Sequence, residues 1–211
     1  MLSKKCALIC ASPYSNMDFI IQSIPKDAFV VCVDGGHTLA VQEHIFPQLI
    51  IGDFDSSTRP SYPNCEIIVL PTHKDDTDTM YAVKTCLNRG FNDFDIYGAT
   101  GGREDHTFAN LCVLQFLADR NCKARLLDQN TEIFFQNSGT KIYKRSYYSY
   151  FSIFPFGCSR AVLTLTGFEY PLEHGVLRCD YPLGISNSIL GETGEVTIHE
   201  GSVIIMQTKE S

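Results

Sequence analysis

Asp53 and Asp55 stand two residues apart in "LIIGDFDSS", so an apolar run ends in two like charges. Side chains two apart on extended backbone point to one side. Two carboxylates placed that way can share a divalent cation, typically magnesium, which takes hard oxygen ligands and bound phosphates. Gly, Asp and Ser also form ordinary turns after strands, so the pair alone leaves a turn and a metal site both open.

Three further clusters repeat the arrangement. "DGGH" (Asp34 to His37) follows "FVVCV", "PTHKDDTD" follows "EIIVL", and "GATGGREDH" follows "DFDIY". Each has a structural explanation of its own. Gly35 and Gly36 suit a tight strand-to-helix turn. Asp75 or Thr77 can cap the following helix, with Asp78 favourable in its first turn. Gly101 and Gly102 suit a loop, Arg103 a solvated charge and His106 a helix start. Jointly, however, Asp34, Asp53, Asp55, Asp75, Asp78 and Asp105 fall on one edge, and their self-repulsion calls for a cation. Glycine N–H groups at Gly101 and Gly102 can approach a phosphate where a helix begins. Arg103 can grip phosphate oxygens in pairs, and Lys74 can add a point charge. "GATGGR" is neither a Walker A loop nor the GxGxxG fingerprint.

These clusters need a scaffold that brings strand ends together. The runs "CALIC", "FVVCV", "QLII", "EIIVL", "DFDIYG" and "KARLL" read as strands. Helical patterns lie between several of them: "SNMDFIIQSI", "HTLAVQEHI", "TDTMYAVKTCLNRG" and "EDHTFANLCVLQFLADRN". The third stops at Gly90, and the fourth is apolar nearly all round, as for a helix buried between layers. Strands alternating with helices predict an α/β fold, a mainly parallel sheet with helices on both faces. In such sheets ligands bind outside the carboxyl ends of the strands, where all four clusters fall. Near residue 130 the rhythm changes. "RAVLTLTGF" alternates with period two, "TEIFFQNSGTKIYKR" carries an Asn-Ser-Gly turn, and "EVTIHEGSVIIMQT" reads as a hairpin about Glu-Gly. The expected organisation is an α/β nucleotide-binding domain over residues 1–130, then a smaller all-β sandwich over 131–211.

The 211 residues suffice for one domain or two small ones, and 44% apolar with 19% charged residues is an ordinary globular composition. A net charge of -7 argues against a general nucleic-acid binder. No signal peptide is visible, and no apolar stretch approaches the roughly 20 residues that span a bilayer. Nine scattered cysteines without a CxxC pair read mostly as buried small hydrophobes, Cys32 and Cys112 among them, in a reducing cytoplasm.

The ordered set "DGG", "GDFDS", "KDDTD" and "GATGGREDH", with "YPL" (Tyr170 to Leu172) and "GISN" (Gly184 to Asn187) further on, resembles the thiamine pyrophosphokinase family. The resemblance implies a homodimer, with active sites between subunits, that moves a diphosphate group from ATP to the hydroxyl of thiamine and releases AMP. It assigns Asp34, Asp53, Asp55 and Asp78 to metal and phosphates, with Mg2+ on Asp53, Asp55 and Asp78. Lys74, Asp75, Thr77, Arg103, Asp105, His106 and the glycine pairs Gly35–Gly36 and Gly101–Gly102 would serve ATP. Asp53, Asp55, Asp78 and Arg103 would carry catalysis. Ser186 and Asn187 would lie in the thiamine pocket. This chain has no Trp, which eukaryotic members use against the vitamin's rings, so a Tyr or Phe would take that role. Three rivals share features with this reading: a nucleotide-sugar transferase, which also uses a DxD, a non-catalytic nucleotide or thiamine sensor, and a phosphatase with Asp-x-Asp after a strand. Ser56-Ser57 fits the last poorly.

Overall fold

The structure, a computed structural model, describes residues 4–54 and 60–209, and it divides into two units, Met1–Gln129 and Asn130–Ser211. In the first unit six strands are paired in parallel in the order β4-β3-β2-β1-β5-β6. They are β1 (Lys5–Ile9), β2 (Phe29–Val33), β3 (Leu49–Gly52), β4 (Glu66–Val69), β5 (Asp93–Tyr97) and β6 (Lys123–Leu127). Four helices connect them: α1 (Met17–Ser23), α2 (Gly36–Gln42), α3 (Asp78–Asn88) and α4 (Glu104–Ala118).

The apolar runs of β1, β2, β3 and β5 are strands buried on both faces, whereas edge strand β4 is only half-buried, with Glu66 and Val69 exposed. Ala7, Ile9, Val30, Cys32 and Ile50 pack with Ile20 of α1 and Ala40 of α2. On the other face α3 packs against α4, and Cys86 of α3 meets Cys6 of β1 at 3.6 Å between sulfurs. Thr77 is the N-cap of α3, its hydroxyl accepting from Met80 N–H at 3.2 Å, and Gly90 follows the helix at φ 83°. The α/β expectation is therefore met, helices on both faces included.

Two details differ. Helix α4 is not enclosed between layers. It buries Asn110, Val113, Leu114 and Leu117 on one side, while Phe108 is 60% exposed and Cys112, one turn on, is exposed too. Apolar composition all round does not by itself supply a second covering layer. For the same reason the cysteines divide. Cys6, Cys10, Cys32 and Cys86 are buried, Cys65, Cys122 and Cys158 half-buried, Cys112 and Cys179 exposed, and all nine are free.

The second unit is all-β. Strands β7 (Thr131–Gln136), β13 (Val203–Thr208) and β9 (Tyr150–Pro155) form one antiparallel set with β13 in the middle. The other sheet runs β11 (Leu172–Arg178), β10 (Arg160–Thr166), β12 (Thr193–Glu200), β8 (Gly139–Lys144). Inward side chains of both, such as Phe151, Ile153, Leu163, Leu165, Val196 and Ile205, share one core, which is a sandwich.

The segment read as a hairpin about Glu-Gly is not one. β12 pairs with β10 and β8, β13 with β7 and β9, so the chain crosses from one sheet to the other at Gly201. Gly201 has φ 81°, and a Cβ there would lie 2.6 Å from the Arg160 carbonyl oxygen. The turn residues look the same for a hairpin and for a corner, since sheet membership is decided by distant strands. The Asn-Ser-Gly turn likewise joins β7 and β8 of opposite sheets.

Candidate functional site

In the first unit β2, β3 and β4 lie on one side of β1, and β5 and β6 on the other. Chain order thus reverses between β1 and β5, and a crevice is expected outside their carboxyl ends. A cleft of about 280 Å³ lies there. Its walls include Ser12 and Pro13 after β1, Asp34 after β2, Thr77 and Asp78 at the start of α3, Gly101 after β5, and Arg103 and His106 at the start of α4.

The backbone bends sharply along this rim. Asp34 (φ 46°) and Phe54 (φ 53°) are left-handed without being glycine, and Gly101 and Gly102 follow at 77° and 71°. Such conformations cost on the order of 1–3 kcal/mol for a residue with a Cβ and concentrate at functional sites. Gly36 answers a different need. A Cβ on it would lie 2.2 Å from the Ile9 carbonyl oxygen, so its absence lets α2 close onto β1. Gly35 is the N-cap of α2, and neither glycine lines the cleft. Packing explains Gly36, while a Cβ on Gly35 would meet only Ala11 at an ordinary 3.4 Å.

Beside the cleft one lysine joins two of the acids. Lys74 Nζ is 3.0 Å from Asp53 Oδ2 and 3.0 Å from Asp78 Oδ1, with side chains only 14%, 13% and 25% exposed. Burial alone would lower the Lys74 pKa, but hydrogen bonds and the fields of Asp53 and Asp78 outweigh it and hold the ammonium above its ordinary value. Asp78 Oδ1 is buried, and Lys74 is the cation that meets it there. Two carboxylates converging on one cation are a donor set suited to a hard divalent ion. Among the described residues no three His, Cys, Asp or Glu side chains meet as a metal cluster. Asp55, the third acid expected to bind metal, lies outside the described residues.

Arg103 and Asp105 form an exposed bidentate pair, closest at 2.5 Å. The hydrogen bond from Arg103 holds the Asp105 carboxyl below its ordinary pKa, and Asp105 raises that of Arg103 in return. An exposed pair of this kind is worth little, so Arg103 can exchange Asp105 for a phosphate. Asp105 does not line the cleft, and Asp75 is exposed with no ion pair among the described residues. Of the expected acids, Asp34, Asp53 and Asp78 are therefore near the cleft or tied to it, while Asp75 and Asp105 stay outside.

Among the wall residues that the sequence reading missed are Ser12, Asn110 and Cys10. Ser12 Oγ donates to the Thr100 carbonyl at 2.6 Å, and Asn110 Nδ2 donates to the Ala99 carbonyl at 2.8 Å. Together they pin the glycine-rich loop from both sides. The position of "ASPYS" after the first strand was the available signal for Ser12, and a polar residue within an apolar helix that for Asn110. Cys10 also lines the cleft, but burial pushes its thiol up to about 12, which rules out a thiolate nucleophile there at neutral pH.

His37 is buried beside Asp34, with Nε2 lacking a partner among the described residues and Nδ1 3.4 Å from the Tyr62 hydroxyl. Burial lowers its pKa, only partly opposed by the charge of Asp34. The unfolded chain therefore binds a proton more readily, near pH 6.5, than the folded one. Stability from this group is fully present above that pH and lost as pH falls below it. Denaturant titrations from pH 5 to 7 should show a shallower fall for His37→Gln than for the parent.

In the second unit Asn187 is buried and Ser186 exposed at φ 57°. The Asn187 amide is bonded through both its atoms: Oδ1 accepts from Tyr170 N–H at 3.0 Å and Ser188 N–H at 2.8 Å, while one Nδ2 hydrogen is donated to the Tyr170 carbonyl at 2.9 Å. Asn187 holds its loop in shape rather than offering a free amide.

The family model "Thiamin pyrophosphokinase, catalytic domain" matches residues 21–126, and "Thiamin pyrophosphokinase, vitamin B1 binding domain" matches 139–205. The thiamine pyrophosphokinase of Bacillus subtilis is 32% identical over 184 residues, covering 84% of this chain and 86% of the relative. A crystal structure of thiamine pyrophosphokinase from Bacillus subtilis superposes with a TM-score of 0.86 over 99% of this chain and 100% of that one, at 26% identity. The Candida albicans thiamin pyrophosphokinase, 18% identical, has the same fold at a TM-score of 0.80 over 99% and 90%. With its two units each matched by one of the paired domain models, and a relative above 30% identity along most of its length, the chain belongs to the thiamin pyrophosphokinase family.

Proposed function

We infer that this protein transfers the diphosphate group of ATP to the hydroxyl of thiamine, giving thiamine diphosphate and AMP. The observation that carries the reading is the cleft at the chain-order reversal, with Arg103 and the start of α4 on one side and the Asp53–Lys74–Asp78 group on the other. Transfer of this type depends on holding the reactants in line and spreading charge, not on covalent chemistry by the protein.

On this reading the adenine nucleotide lies along the cleft. Arg103 leaves Asp105 for the phosphate oxygens, and the N–H groups at the start of α4 face the same anion. Asp53, Asp55 and Asp78 would hold magnesium, which offsets polyphosphate charge when bound. The thiamine oxygen attacks the β-phosphorus, the bond to the α-phosphate oxygen breaks, and AMP leaves; the hydroxyl proton passes to a neighbouring carboxylate or to water. Ser186 and its loop belong to the vitamin's site. The protein works as a homodimer in the cytoplasm, a compartment that suits nine free cysteines.

Purified protein with ATP, magnesium and thiamine should form AMP and thiamine diphosphate in equal amounts. AMP formed without thiamine, or none formed with it, would remove the reading. Ser186→Ala should raise the KM for thiamine while leaving that for ATP unchanged. Asn187→Ala should do the same and also lower stability by about 1–3 kcal/mol, because the Tyr170 backbone groups lose their partners. Equal effects on both substrates would place the vitamin elsewhere.

A further inference from the structure

We propose that Lys74 gates the cation seat: its ammonium lies between Asp53 and Asp78 and must be displaced before a divalent ion can use both carboxylates. The proposal rests on the metal–polyphosphate reading above and adds a residue that controls when metal enters. Nζ is 3.0 Å from one oxygen of each acid, and its remaining hydrogen bond, to the Pro71 carbonyl, is long at 3.3 Å. Magnesium binds carboxylate oxygens at about 2.0–2.1 Å. Two cations cannot occupy that gap together, so the ammonium has to leave. Lys74 precedes α3 on an irregular segment, and its four-carbon stem lets the charge swing without moving the helix.

A metal ion arriving alone must therefore evict an ion-paired ammonium that gains no new partner. An ion arriving with a triphosphate brings one, because the anion accepts the displaced charge. Metal and nucleotide are then positively coupled through Lys74, and the coupling is reciprocal. It also keeps the two acids from repelling each other when neither ligand is bound.

Mn2+ is a suitable probe, its free concentration read by electron paramagnetic resonance with and without a non-hydrolysable ATP analogue. The parent protein should bind Mn2+ weakly alone and at least about tenfold more tightly with the analogue. Lys74→Met should bind Mn2+ alone at least about tenfold more tightly than the parent and lose most of the enhancement by the analogue. Lys74→Gln, which keeps a donor for the acids, serves if the Met variant does not fold. Lys84→Met is the control for a general field effect, since that ammonium pairs with Asp76 at 2.7 Å on the same stretch of chain. It should change Mn2+ affinity by less than about twofold. An unchanged affinity in Lys74→Met and Lys74→Gln, or an equal rise in Lys84→Met, overturns the gate. Thiamine-dependent AMP formation by the parent is measured alongside. Its absence would defeat the transferase reading, whereas the Mn2+ titrations decide the gate by themselves.

Discussion

Asp53→Asn lowers turnover by about a thousandfold and leaves the fold intact. The carboxylate faces Lys74 in a largely dehydrated setting, where one unit of charge about 4 Å from another is worth about 4 kcal/mol at an effective dielectric near 20. Each 1.36 kcal/mol is a factor of ten in rate, so losing that charge where polyphosphate and metal must be held costs close to three orders of magnitude. Stability suffers far less, because Lys74 keeps Asp78 as a partner and the buried amide still accepts a hydrogen bond. A fall of about 1 kcal/mol is expected. AMP production under saturating substrates, with thermal melting on the same preparation, checks both halves. Near-normal turnover would end the assignment of Asp53 to the cation, and Asp55→Asn should behave as Asp53→Asn does.

The second large effect is on folding. Gly36→Ala puts a methyl group 2.2 Å from the Ile9 carbonyl oxygen and 3.0 Å from its carbon, both backbone atoms of a central strand. Neither can move without disturbing the pairing of β1 with β2 and β5. Overpacking against fixed atoms costs about 3 kcal/mol or more, a large part of the roughly 5–15 kcal/mol that holds a domain together. For a protein of this size that is about 6–12 °C in melting temperature. Gly191→Ala, which meets nothing within 4 Å, should melt with the parent. Calorimetry of the three proteins decides it, and an unshifted Gly36→Ala would show that α2 can drift from the sheet at little cost.

Much of this architecture was legible in the residues. Apolar runs such as "CALIC" and "FVVCV" marked strands because a doubly covered sheet leaves them no polar face, and the charged clusters after the strands marked the rim. Thr77 was legible as a cap because its hydroxyl acts within one turn of chain. Contacts made over long separations were not. Lys74 stood among several charges in "THKDDTD", and only the fold tells which acid on another strand it reaches. The Gly201 corner reads as a hairpin in the sequence because turn chemistry is local and sheet assignment is not. Asn187, expected from the resemblance in the thiamine pocket, has its amide bonded to Tyr170 and Ser188, contacts that only the fold reveals.

The central place of β13 between β7 and β9 bears on how the protein is made. It comes after every other described strand in chain order, so a nascent polypeptide must emit β7 and β9 long before their shared partner exists. The edges of β7 and β9 that β13 covers stay unpaired until residues 203–208 have been synthesised, so closing of the second unit waits for β13. Shortening the chain before Val203 would strand that unit in a sticky, protease-sensitive state, whereas the parallel sheet of the first unit has all its strands synthesised by Leu127.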